Sequence, residues 1–129
     1  MLFLLNQSYF AHSVFLSGYS DGIEIHHNEV AYAGDSLIAA TGVTNGMDGR
    51  EGTHPRNAQI HNNYLHDWGV WGKQTSAYFG GMVKDTHLTH NLIYNGPRAG
   101  INQNDGFAGG SEFAYNLLFN TVLDTGDHG

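Results

Sequence analysis

One asparagine recurs in the same company four times along this chain of 129 residues. It stands in Ile25-His-His-Asn28-Glu-Val30, Ile60-His-Asn-Asn63-Tyr-Leu65, Leu88-Thr-His-Asn91-Leu-Ile93 and Phe113-Ala-Tyr-Asn116-Leu-Leu118. Each copy has an apolar residue three positions before the Asn and another two after it. The four asparagines are 35, 28 and 25 residues apart, a period in the twenties with insertions rather than a heptad or a helical repeat. The runs between them are short, β-branched or aromatic, and broken by Gly, with no 3.6-residue periodicity. A β-sandwich also uses short strands, but it does not need one residue type at the same bend each time. A parallel β-helix does. Its coils stack at about 4.8 Å, so an Asn at a bend lies over the Asn of the next coil and can hydrogen-bond along the stack. Asn also tolerates the left-handed backbone that a tight bend requires, so the ladder asparagines themselves are expected to adopt it. The expected fold is all-β, a β-solenoid of about four to five coils, and the ladder is structural rather than a site.

A second element, an apolar residue followed by glycine, precedes the Asn motif in Leu16-Ser-Gly18, Phe79-Gly80-Gly81 and Phe107-Ala-Gly109-Gly110. It marks Phe79 as a core residue. Alternation in Gly22-Ile-Glu-Ile25 turns Ile23 and Ile25 inward and Glu24 outward. The composition of 43–57, with Asn45-Gly, Asp48-Gly, Glu51-Gly and His54-Pro, cannot build a core strand. It reads as a loop inserted into a single domain spanning 1–129, and as either a binding wall or a plain surface excursion.

Charge narrows the partners. Five Lys and Arg against twelve Asp and Glu give a net charge of −7, which argues against nucleic acid and against an anionic membrane surface. No cysteine is present, which excludes a disulfide scaffold and thiolate metal sites. Met1 to Leu5 is too short to span a bilayer and lacks a basic leader, so it reads as a strand rather than a signal peptide. Among the nine histidines, His26-His27 and His87/His90 come close to metal-ligand spacing. Neighbouring strand residues diverge, however, and so do residues three apart, so no metal site is expected from either pair.

The least scaffold-like stretch is 96–110, where Arg98, Asn102, Asn104 and Asp105 sit among five glycines. If Ile101 points into the core, Asn102 and Asn104 share the opposite face. Such a cluster suits a saccharide or an anion, and the alternative is that Arg98 and Asp105 merely pair across a turn. In Asp67-Trp-Gly-Val-Trp-Gly, Trp71 stands between glycines and reads as an exposed platform on which a sugar face can stack.

The runs Val14-Phe-Leu-Ser-Gly, Ala33-Gly-Asp-Ser-Leu-Ile-Ala-Ala, Gly72-Lys-Gln-Thr-Ser, Asn95-Gly-Pro-Arg-Ala-Gly-Ile-Asn, Asn104-Asp-Gly-Phe and Thr125-Gly-Asp-His-Gly129 resemble the right-handed parallel β-helix proteins of the pectin-lyase-like superfamily. The resemblance implies a right-handed β-helix and carbohydrate activity on a polysaccharide or oligosaccharide. It implies an extracellular setting for a longer protein of which this chain is a piece, because the last motif normally continues into further coils. Glycoside hydrolysis is the activity expected first. Asp127 matches the family's catalytic carboxylate, with Asp105 or Asp124 as the second acid and Arg98, Asn102, Asn104 and His128 around the substrate. Hydrolysis needs two carboxyl groups roughly 5–9.5 Å apart. The alternatives are a polysaccharide lyase, with Arg98 as base or neutraliser and Ca²⁺ near Asp105, and a non-catalytic glycan-binding solenoid using Trp71. No cofactor is expected outside the lyase case.

Overall fold

The computed structural model describes residues 3–5, 11–43, 53–104 and 109–126. Among the described residues thirteen strands of three or four residues follow one another. They are β1 (Phe3–Leu5), β2 (Val14–Ser17), β3 (Glu24–His26), β4 (Glu29–Ala31), β5 (Ile38–Thr41), β6 (Gln59–His61), β7 (Tyr64–His66), β8 (Tyr78–Gly81), β9 (His87–Thr89), β10 (Leu92–Tyr94), β11 (Ile101–Asn104), β12 (Glu112–Ala114) and β13 (Leu117–Phe119). Every third strand pairs, always in parallel. One sheet runs β1-β4-β7-β10-β13, the second β2-β5-β8-β11 and the third β3-β6-β9-β12. Each coil therefore contributes one strand to each of three sheets, and the molecule is a parallel β-helix of about four coils, as the Asn repeat predicts.

The interior follows from register. Ile25, Ile60, Leu88 and Phe113 pair in one column, and Val30, Leu65, Ile93 and Leu118 in another. The middle members, Ile60, Leu65, Leu88 and Ile93, are wholly buried. On the second sheet the inward column is Val14, Ile38, Tyr78 and Ile101. Tyr78 is the largest wholly buried side chain, and its ring leans over Gly80, where a Cβ would press on the phenol. Gly80 and Ala40 are register neighbours, so small residues in one column make room for a large one in the next. Burial pushes the Tyr78 phenol above its usual pKa, an effect the Thr86 hydroxyl offsets only in part.

Three expectations change here. Phe79 is not core: it pairs between Ala39 and Asn102 on the face opposite Tyr78, because the glycine motif aligned it one residue out of register with Leu16. Ile23 remains 38% exposed, while Ile25 is buried. The left-handed residue at the bend is not the ladder Asn but the residue before it, namely His27, Asn62, His90 and Tyr115, with φ between 54° and 58°. The side chain of that residue is flung outward while the Asn turns in.

The ladder itself forms. Asn28, Asn63 and Asn91 each donate a backbone N–H to the Oδ1 of the next asparagine, at 2.9–3.0 Å. Each Nδ2 also donates to that Oδ1, and Nδ2 of Asn63, Asn91 and Asn116 donates again to the carbonyl of Ile25, Ile60 and Leu88. The insertion expected over 43–57 lies largely in 44–52, outside the described residues. Its flanks meet, with the Val43 N–H donating to the Thr53 carbonyl at 3.1 Å. Arg56 already runs in the stack, bridging Asp21 and Lys84.

Candidate functional site

Among the described residues, two concavities on the outside of the helix stand out, each at a corner between sheets. The larger, of about 510 Å³, runs beside the Asn ladder and is lined by His27, Asn28, Asn62, Asn63, Tyr64, His90 and Leu92. These residues come from three successive coils. His27, Asn62 and His90 reach it because the left-handed backbone at each turns the side chain out of the coil. Asn63 is buried and its amide is consumed by the ladder, so it forms floor rather than contact surface. Tyr64 is 56% exposed and presents a ring face and a hydroxyl.

Next to this groove the His26 and His27 rings meet instead of diverging, with their Nδ1 atoms 2.8 Å apart. The divergence expected of strand neighbours fails because His27 has left the strand, at φ 54°. The His61 ring stacks parallel on His26 at 5.0 Å. His87 and His90 separate: His87 lies 3.1 Å from Glu112, and His90 stacks on Tyr115. Among the described residues no group of three or more His, Asp or Glu side chains is arranged to hold a metal ion.

The smaller concavity, of about 290 Å³, sits at the corner between the first and second sheets, and Tyr32, Asp67, Trp68, Lys73, Asn95 and Asp124 are among its walls. Behind it His66 is held between two carboxylates, with Nδ1 2.6 Å from Asp67 Oδ2 and Nε2 3.1 Å from Glu29 Oε1. The imidazole is 6% exposed and stacks on Tyr94 at 4.7 Å. Burial, then the nearby charges of Asp67 and Glu29, pushes the Tyr94 phenol above its usual value. Each ring nitrogen thus faces one carboxylate oxygen, which holds the imidazole in a single orientation. Glu29 and Asp67 do not form a hydrolase pair, because the space a scissile bond would occupy between them is filled by the imidazole.

The residues singled out in the sequence are described only in part. Asp105, Asp127 and His128 lie outside the described residues. Arg98 sits half-buried in the turn between β10 and β11, where its carbonyl accepts from the Val122 N–H at 3.1 Å. Asn102 and Asn104 lie together on the outer face of β11, opposite Phe79 and Gly81, while Ile101 packs against the core. Trp71 is half-exposed. Asp124 faces Lys73 at 3.1 Å. Among those of them that are described, only Asp124 lines either concavity.

Sequence reasoning missed Glu29, His66 and Asp67. The available signal was the adjacent pair His66-Asp67 just past a core residue, but only the coil register brings Glu29 over the same ring. The fold and its flanking grooves define the chain as a parallel β-helix protein. No protein-family model, curated protein or solved structure matches it.

Proposed function

We propose that this chain is a carbohydrate-active β-helix module of the pectin-lyase-like kind that takes a linear glycan along its side, with glycoside hydrolysis as its chemistry. The observation that carries the reading is the larger groove. It spans three coils, repeats an outward-turned imidazole or amide at each, and adds the exposed face of Tyr64. A polymer of repeating hydroxylated rings is the ligand such a repeating surface suits. Its hydroxyls pair with imidazole and amide groups, and its apolar ring faces lie on tyrosine and leucine. The wider lining is low in charge, which fits a sugar better than a nucleic acid. In the hydrolytic reading Asp127 and Asp105 serve as the acid and the base or nucleophile, and Arg98, Asn102 and Asn104, which do not line the groove, orient hydroxyls of the part of the glycan that extends over the second sheet, with His128 in the same role and Trp71 as a second stacking face. In the lyase alternative Arg98 takes the proton and Ca²⁺ near Asp105 neutralises the carboxylate.

The test is product analysis on a panel of plant and algal polysaccharides, run beside binding measurements. Hydrolysis yields new reducing ends without an ultraviolet-absorbing product, whereas a lyase yields an unsaturated, absorbing one. Tyr64→Ala should weaken binding about tenfold, the loss of one ring face at about 1–2 kcal/mol. Absence of both binding and product across the panel ends the proposal.

A further inference from the structure

The smaller corner concavity holds a set of groups that the groove above does not use. Asp67 closes one side. Its Oδ2 is tied to His66, whose other nitrogen is tied to Glu29, so the carboxylate is fixed in place from behind. Its left-handed backbone, at φ 51°, is what folds the side chain back on the preceding ring. Asn95 stands alongside. Its Oδ1 accepts from Asn120 Nδ2 at 3.3 Å, which leaves the Asn95 amide NH₂ as a donor. Lys73 and Asp124 pair across the mouth at 3.1 Å, both half-exposed.

Trp68 forms the floor. Trp68 lines the concavity and is only 2% exposed, yet its Nε1–H is buried without a hydrogen-bond partner. A Cβ placed on Gly96, another wall residue, would run into Cζ2, Cε2 and Cη2 of this indole, so the six-membered part of the ring lies against that wall.

Donors and acceptors are mixed around the walls: carboxylates at Asp67 and Asp124, and N–H groups at Asn95 and Lys73. An anion would meet two carboxylates, and a cation would meet the ammonium of Lys73. A neutral polyhydroxyl ring offends neither, since each hydroxyl both donates and accepts. The exposed ring of Tyr32 adds a surface for an apolar sugar face. The volume of about 290 Å³ is at the small end for ligand sites, suited to a single ring rather than a chain.

We infer that this corner is a subsite for one neutral sugar residue, with Asp67 as the anchoring acceptor, the Asn95 amide NH₂ as a donor, Trp68 as the floor, and His66 with Glu29 as the positioning groups behind Asp67. The inference rests on the carbohydrate reading and adds a second, separate place of contact. A side branch or a chain end would occupy it while the groove takes the main chain.

The test is nuclear magnetic resonance titration of the ¹⁵N-labelled chain with neutral methyl glycosides, against a uronic acid and an amino sugar of the same ring size. The two indole N–H signals are assigned with Trp71→Phe. The expected result is a shift of the Trp68 signal with at least one neutral glycoside and not with the charged sugars. Asp67→Asn and Tyr32→Asn should each weaken that binding about tenfold, and asparagine is chosen because it keeps the left-handed backbone at both positions. Melting temperatures near that of the parent chain establish that both variants fold. For a variant that does not fold, Lys73→Ala with Asp124→Ala removes the exposed mouth pair instead and should also weaken binding. A Trp68 signal unmoved by every sugar, while polysaccharide still binds in the groove, overturns the corner subsite and leaves the groove reading standing. Equal binding of a charged sugar overturns the assigned ligand class. Loss of all glycan binding in the parent chain overturns both readings.

Discussion

Asn91 and Asn116 occupy equivalent bends yet carry different loads. The Asn91 side chain accepts from the backbone and the amide of Asn63, and donates to Asn116 and to the Ile60 carbonyl. The Asn116 side chain accepts from Asn91 and donates to Leu88, with no asparagine beyond it among the described residues. Asn91 is also buried, whereas Asn116 is half-buried. Asn91→Ala should therefore destabilise more than Asn116→Ala, by about one hydrogen bond or ~0.5–1.5 kcal/mol. Urea denaturation of the two variants checks this, and equal midpoints would argue against energetic coupling along the ladder. The residue before each Asn has a different task. It absorbs the left-handed turn, and that conformation is why His27, Asn62 and His90 project together into one groove.

At the scale of the element, strands of three or four residues hold no independent stability, and the turns decide how the coils seat. The turn after β10 shows the tolerance. Gly96 lies against the six-membered part of the buried Trp68 indole, and its N–H donates to the Asn120 carbonyl of the next coil at 3.0 Å. The backbone there cannot retreat without breaking that bond. Gly96→Ala should cost about 1–3 kcal/mol through overpacking. It should also displace the indole, visible as a changed near-ultraviolet circular dichroism signal and a lowered melting temperature. An unchanged melting curve would mean that the turn yields more easily than its hydrogen bond suggests.

For the whole molecule, stacking means that each coil is supported by its neighbours. Interior positions such as Leu88 and Ile93 are sealed, while their register partners Phe113 and Leu118 on β12 and β13 remain 38% and 40% exposed. Among the described residues β11, β12 and β13 pair on one side only, so their free edges offer N–H and C=O groups beside apolar side chains. The 129-residue chain should consequently self-associate in a concentration-dependent way. Leu118→Lys, an inward-pointing charge on an edge strand, should reduce that association. Sedimentation velocity across a tenfold concentration range is the measurement, and a strictly monomeric parent chain would overturn the expectation.

The Asn repeat by itself determined the solenoid, the ladder and two core columns, because a residue that must stack on its own copy leaves a period that can be read in one dimension. Alternation likewise placed Asn102 and Asn104 on one face of β11. The sequence misled where one residue of register mattered. A glycine alignment put Phe79 inside, and the coil pairing put Tyr78 there instead. It also misled where a backbone left the strand. Side chains that alternate in a strand converge after a left-handed residue, which brings His26 to His27 and His66 to Asp67. Glu29, 37 residues before His66, meets the same ring only because coils of unequal length close to a common register. The corner subsite and the groove were decided at that level. Their walls come from turns and successive coils, and which turns stand side by side is fixed by stacking, not by any local run of residues.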